Sequence, residues 1–354
     1  MESLQLAGEF HIHRAYHSTK TATYISLPIA TIRYLKSLQA VVSLPLLPVR
    51  GYGADGGQAT SAMLNGPIGV TLDATGDIYI ADTLNNRKIT VSTGVITTVA
   101  GNGREGYSED NVSATSTSLF HPTDVAVDPS GNMFIADKNN GRIRKVSAAS
   151  GMITTVAGKG DDQFWQSWER TASGSATEYY LYGPTGVALD TSGNVYITDG
   201  IHDSIFKITV STGNISTVAG TPGFSSHNGD DILATAADLD YPYKVAFDAS
   251  GNMYISDTGN HRIRKVTACT GMITTVAGTG AILSGNDPFA KISDHEPYNG
   301  EGGLATSASI FSPSGIAVDV AGNLHFADYT NHVVRKVTYN GATPSISVTS
   351  APSV

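Results

Sequence analysis

The sequence repeats itself, and that limits the folds open to it more than any bulk property does. GPIGVTLDATGDIYIAD from Gly66, HPTDVAVDPSGNMFIAD from His121, GPTGVALDTSGNVYITD from Gly183, YPYKVAFDASGNMYISD from Tyr241 and SPSGIAVDVAGNLHFAD from Ser312 align without a gap. The prolines that anchor them, Pro67, Pro122, Pro184, Pro242 and Pro313, are spaced by 55, 62, 58 and 71 residues, with nearly all the variation before each proline. A period of this length marks stacked copies of one supersecondary unit, so the usual estimate of domain number from chain length does not apply.

One unit reads as four short strands. VAVD (125–128) is apolar and β-branched, and PSGN (129–132) is a turn cluster whose glycine supplies backbone angles that other residues resist. MFIAD follows as a second strand, KNNG (138–141) as a second turn, RIRKV (142–146) as a third strand and ITTVAG (153–158) as a fourth. Such a meander has apolar residues on both faces and cannot bury them alone. Copies arranged around an axis shield one another and expose only short edges, so the expected fold is an all-β propeller of four-stranded antiparallel blades.

The pattern P-x-G-V-A-x-D, G-N-x-Y-I-x-D, N-x-R-I-R-K-V, I-T-T-V-A-G resembles the NHL repeat, over residues 51 to about 340. The long Gly- and Ala-rich connections, such as 51–67 and 298–313, are similar to those of tandem NHL arrays in large, often extracellular, multidomain proteins. The resemblance implies six blades. Five full units are visible, and IRYLKSLQAVVSL (32–44) falls over the third and fourth strands RKITVSTGVITTV (87–99) when Tyr52 is placed on Tyr107. The reading is therefore a non-repeat segment at 1–31, a propeller over 32–342 that starts with a degenerate half-blade, and a last strand with a Ser/Pro tail at 343–354.

Composition removes several classes of function. A net charge of −9 leaves few cations to neutralise phosphates, so nucleic acid is not an expected partner. Cys269 is the only cysteine, which rules out an intramolecular disulfide and a Cys-based zinc site. The most apolar stretch, residues 37–49, contains two prolines and is far short of the roughly 20 residues that span a bilayer, so no membrane insertion is expected. No secretory signal is visible, because His11, His13, Arg14, His17 and Lys20 interrupt the first residues. The compartment is left open, with an extracellular or cell-surface parent suggested by the resemblance.

The most repeated polar residues are Asp73, Asp128, Asp190, Asp248 and Asp319, followed nine positions later by Asp82, Asp137, Asp199, Asp257 and Asp328. Ordered carboxylates suit calcium, but an aspartate that ends each strand also accepts hydrogen bonds from the turn behind it, and a scaffold role explains why every blade has a copy. No cofactor is expected, calcium being the metal these residues would hold. The amidating lyase that cleaves peptidyl-hydroxyglycine resembles these repeats and uses histidines placed after the blade-opening proline. Those positions here are Ile68, Thr123, Thr185, Tyr243 and Ser314, so the resemblance carries over no zinc site. His261 and His332 read as exposed residues of the hairpin turn where other blades have Asn86, Gly141 and Asp203; His325 reads as a packed strand residue. The G-x-S-x-G and H-E-x-x-H motifs are absent.

Recognition belongs where the blades differ. The connection 159–182 holds both tryptophans, Trp165 and Trp168, with Phe164 and Tyr180, and aromatics dominate binding hot spots. Asp124 and Lys244 stand where other blades have Gly69, Gly186 and Gly315, at one mouth of the channel. Asn111-Val-Ser and Asn214-Ile-Ser fit the glycosylation acceptor pattern. The expected function is a non-catalytic scaffold that binds a protein or carbohydrate partner through loops on a propeller face. The alternative is a calcium- or zinc-dependent lyase or hydrolase working in the axial channel.

Overall fold

The computed structural model describes residues 53, 55–160, 173–280, 300–340 and 343–350. These residues form a five-bladed β-propeller. The blades are antiparallel sheets whose inner strands are Pro67–Leu72, Pro122–Val127, Pro184–Leu189, Pro242–Phe247 and Pro313–Val318, and each inner strand packs against the next in the sequence. The second blade shows the pattern: Pro122–Val127, Met133–Asp137, Arg142–Val146 and Met152–Ala157 pair in order. The fourth strand of the fifth blade is Thr343–Ser350. The half-blade expected at 32–47 lies outside the described residues.

The sequence pattern gave no warning of three additional strands. Val112–Ser113, Ser173–Ser175 and Ile232–Leu233, contributed by the connections, pair with the outer edges of the second, third and fourth blades. They cover edges that would otherwise offer unpaired backbone groups to other chains. Each leads into a single helical turn whose alanine is buried: Ala114, Ala176 and Ala234, matched by Ala59 and Ala305 before the first and fifth blades.

Alternation along the strands creates the seams. In the seam between the first and second blades, Tyr79, Ala81 and Ala100 meet Val125, Ile135 and Ile153, with Ala114 and Leu119 of the connection filling the wedge. The small alanines let the sheets approach, and each buried large aliphatic side chain contributes roughly 1.5–3 kcal/mol. No described helix is long and apolar enough to cross a membrane.

The first aspartate set does what the turn chemistry predicts. Asp128 Oδ1 accepts the backbone N–H groups of Ser130 (2.9 Å) and Asn132 (2.8 Å), and Oδ2 accepts Asn132 Nδ2 (2.7 Å). Gly131 completes this turn at φ 82°. The same bonds recur at Asp190, Asp248 and Asp319. Desolvation opposes ionisation of these groups, but the donors outweigh it and hold Asp190 and Asp248 below the ordinary carboxylate range and Asp319 at about 2.

Two expectations about the hairpins are corrected. In the first blade only Thr83 and Leu84 separate the paired residues Asp82 and Asn85, whereas Lys138 to Gly141 separate Asp137 and Arg142 in the second. Asn86 is therefore not a turn residue; it lies on the third strand opposite Ala81, fully buried. His261 is a turn residue at φ 54°, but it is 7% exposed, because its Nδ1 accepts the N–H of Ser312 at 3.0 Å from the connection into the next blade. His332 is exposed, as expected, and His325 is packed in its strand with Nε2 3.2 Å from Asp319.

Candidate binding surface at the axis and the third blade

Two regions hold the side chains singled out from the sequence. At the axis, Lys244 Nζ reaches past the third blade to Asp124 Oδ1 at 2.6 Å, and Asp124 Oδ2 accepts the N–H of Val187 at 3.0 Å. The backbone makes this reach available: a Cβ on Gly186 would lie 2.7 Å from Tyr243 O and 2.4 Å from Thr198 Oγ1, so the third blade must have glycine there. Asp124 is 2% exposed, and its charge is matched within the protein by Lys244. A second link follows the same path, with Lys138 Nζ 3.3 Å from the hydroxyl of Tyr241, whose ring lies against Gly200. Blades two and four are thus joined across the inner edge of blade three.

The third blade is also where the connection carries the aromatic residues. Of these, Phe164, Trp165 and Trp168 lie outside the described residues. Tyr180 is half-buried with Lys159 Nζ 5.3 Å from its ring centre, while its neighbour Tyr179 is buried in the seam between the second and third blades.

Below both regions runs a device the sequence reading missed. The second aspartate of every blade accepts a backbone N–H from its own connection: Asn65 to Asp82, Phe120 to Asp137, Tyr182 to Asp199, Asp240 to Asp257 and Phe311 to Asp328. Four blades add an arginine on the third strand. Arg87, Arg144, Arg264 and Arg335 are fully buried and pair with Asp55, Asp110, Asp230 and Glu301 of the connections at 2.7–3.1 Å. In the second, fourth and fifth blades the same guanidinium also lies 3.2–3.9 Å from Asp137, Asp257 or Asp328. An asparagine three residues after the aspartate, Asn140, Asn260 or Asn331, donates to it as well. The signal was present in the sequence as the Arg-Lys pair on the third strand of four blades and the acidic residue four positions before the A-T dipeptide of those blades' connections.

The third blade departs from this scheme at the arginine and asparagine positions. Phe206 occupies the arginine position opposite Ile197, as Arg144 does opposite Ile135. His202 occupies the asparagine position, with Nδ1 2.9 Å from Asp199 Oδ2 and with only 1% of its side chain exposed. Its ring stands edge-on to Phe206 at 5.5 Å and to Tyr182 at 4.3 Å between centroids. Burial pushes Asp137 and Asp257 up to about 6 against their asparagine and arginine partners. Asp199 is equally buried, yet the adjacent His202 overcomes that desolvation and holds its carboxyl below the ordinary range. Its neighbour Asp203 goes the other way, to about 7, because burial outweighs the Tyr241 N–H it accepts and Asp240, Asp199 and Asp257 repel its charge. Among the described residues no group of three or more His, Cys, Asp or Glu side chains is arranged to hold a metal.

Comparison with known proteins fits this architecture. Residues 121–146 match the NHL repeat family model. The Arabidopsis thaliana protein Suppressor of Quenching 1, chloroplastic, is 28% identical over 300 residues, which is 81% of this chain and 26% of that protein. Human teneurin-4 is 32% identical over 234 residues, 59% of this chain and 8% of teneurin-4. The chain therefore spans about a quarter or less of the length of these relatives. Among solved structures, a chain of a nidogen/laminin complex superposes with a TM-score of 0.50 at 16% identity, covering 82% of this chain and 87% of that one. The Xanthomonas campestris gluconolactonase XC5397 gives 0.50 at 14% identity, covering 81% and 78%. At such identities the likeness is one of fold.

Proposed function

We propose that this five-bladed β-propeller, whose residues 121–146 match the NHL repeat, is a non-catalytic scaffold that binds a protein or carbohydrate partner through its variable connections. One observation supports this reading: the aspartates that recur in every blade and the charged pair at the axis are already engaged inside the fold. The first aspartates are held by their turns, the second by connection N–H groups and in three blades also by a buried arginine, and the two charged residues at the axis pair with each other. A carboxylate held this way would have to give up those bonds to serve a metal or a substrate proton, which works against either use. What differs from blade to blade is the connection, and the one before the third blade is the most aromatic.

The test uses glycan arrays and a panel of purified extracellular domains. The wild-type chain is compared with a variant in which 161–172 is replaced by a Gly/Ser linker of equal length. Saturable binding by the wild type, lost in the variant at an unchanged melting temperature, is expected. Stoichiometric calcium or zinc in the purified protein, with turnover of an ester, lactone or peptidyl substrate, would establish an enzyme instead.

A further inference from the structure

The homologous blades provide an internal control for the two N-x-S sites in the sequence. Asn111 is explained by its backbone. It lies at φ 63°, and the fourth blade has Asp231 at φ 58° in the same place, directly before an edge strand and its buried alanine. Asparagine and aspartate enter this left-handed region more readily than other side chains, so the residue type there follows from the fold. Two positions on, the Ser113 hydroxyl lies 3.1 Å from that of Thr115. Asn214 has no such account.

Asn214 opens the fourth strand of the third blade, Asn214–Ala219, opposite Thr209 on one side and Ser175 on the other. The first, second and fourth blades have Val95, Met152 and Met272 there, each half-buried, and Thr97, Thr154 and Thr274, also half-buried, two positions later. In the third blade both positions are exposed, and they hold Asn214 and Ser216. The backbone does not ask for asparagine. Its N–H donates to Thr212 Oγ1 at 3.3 Å, just as the N–H groups of Met152 and Met272 donate to Ser150 and Thr270. Among the described residues neither the Asn214 amide nor the Ser216 hydroxyl has a side-chain hydrogen bond. Strand alternation sets the two on one face. Ile215 between them is buried in the seam with the second blade, so Asn214 and Ser216 lie on the opposite side, at the rim.

We propose that Asn214 carries an N-linked glycan. The acceptor pattern is an asparagine with a hydroxyl residue two positions on, and this strand presents both groups to solvent from one face. In the transfer the amide Nδ2 attacks the anomeric carbon of a lipid-diphosphate-linked oligosaccharide. An N–C bond forms, the C–O bond to the diphosphate breaks, Nδ2 gives up one proton and the lipid diphosphate leaves. The reaction takes place in the lumen of the secretory pathway, so the proposal commits the rim of the third blade to that compartment. The blade needs no rearrangement, because the amide has no protein partner to lose. A glycan here also protects the sheet. Ser173–Ser175, the outermost strand of this blade, runs beside Asn214, Ile215 and Ser216, is exposed along its whole length and carries no charge. The matching edge strands Val112–Ser113 and Ile232–Leu233 are shorter. An uncharged exposed edge invites pairing with other chains, and a bulky hydrophilic group rooted beside it blocks their approach. The site stands whichever partner the connections bind.

The test is made on the gene's product isolated from the cells that produce it. Peptide-N-glycosidase in heavy-oxygen water turns each glycan-bearing asparagine into a labelled aspartate, which peptide mass spectrometry locates. Label at Asn214 is expected, with a gel mobility shift that the same enzyme removes. Asn214→Gln and Ser216→Ala, expressed in the same cells, should each abolish the part of the shift due to this site, whereas Ser216→Thr should keep it. Asn214→Gln should melt together with the enzyme-deglycosylated wild type, since the amide holds nothing in the fold. The label on the wild-type protein is a readout that depends on no variant. An unlabelled Asn214 in protein from those cells, or label at Asn214 that persists in Ser216→Ala, overturns the proposal.

Discussion

Blades three and four have the same four strands, the same turn aspartates and the same buried second aspartate, yet they neutralise that aspartate differently. In the fourth, Arg264 bridges Asp257 and Asp230, so one side chain satisfies the blade and ties down its connection. In the third, His202 serves Asp199 alone, and Phe206 adds apolar contact to the seam. The lesson is that the fold needs the second aspartate engaged at this point but not by a particular residue. The choice of residue decides how firmly the neighbouring connection is held.

The comparison is broken most directly at the arginine. Arg264→Leu leaves Asp257 and Asp230 without their cation and should cost about 3–5 kcal/mol in chemical denaturation. Phe206→Leu removes only apolar volume and should cost about 1–1.5 kcal/mol. Equal losses would show that the seam needs bulk and not charge. At the axis, Lys244→Met strands Asp124, which is 2% exposed, and should cost about 2–4 kcal/mol, with part of the loss recovered when Asp124→Asn is added. Additive effects of these two changes would mean that the pair does not join blades two and four.

Glycines sharpen the contrast at a smaller scale. Gly141 and Gly213 both have positive φ, 57° and 68°, but an added Cβ would lie 2.6 Å from Leu181 O at Gly141 and meet nothing within 4 Å at Gly213. Gly213→Ala should cost about 1 kcal/mol for the backbone angle, and Gly141→Ala about 2–3 kcal/mol, read from thermal unfolding. The smallest effect is expected in acid. Asp190 and Asp248 are held below their ordinary pKa, so the stability they contribute is present above about pH 4 and is lost as pH falls through their folded values. Asp190→Asn should flatten the acid limb of the melting curve slightly, and the same change at Asp248 should do so by a similar amount.

Much of the architecture was legible because it is local. The strand and turn pattern, the proline at each blade start, the Asp-x-x-Gly-Asn turns and the packed position of His325 follow from residues within a few positions of one another. Reading failed where a residue's role depends on a distant one. His261 is placed as a turn residue by its spacing from Asp257, but its burial comes from Ser312 in the next blade. Asn86 was misaligned because a two-residue shortening of the first hairpin shifts it onto a strand, and only the pairing register reveals that. Asp124 and Lys244 differ visibly from the glycines of the other blades, yet nothing in a linear pattern shows that they meet across 120 positions.

The sequence by itself determined that the chain is built from repeated four-stranded units and which polar residues shape its turns, because turn hydrogen bonds and strand alternation are set by near neighbours. Tertiary structure alone decided which charges are matched, and that the third blade has a histidine against its buried aspartate and a phenylalanine in the seam where other blades use asparagine and arginine. Those outcomes depend on burial and on the distance between segments tens of residues apart.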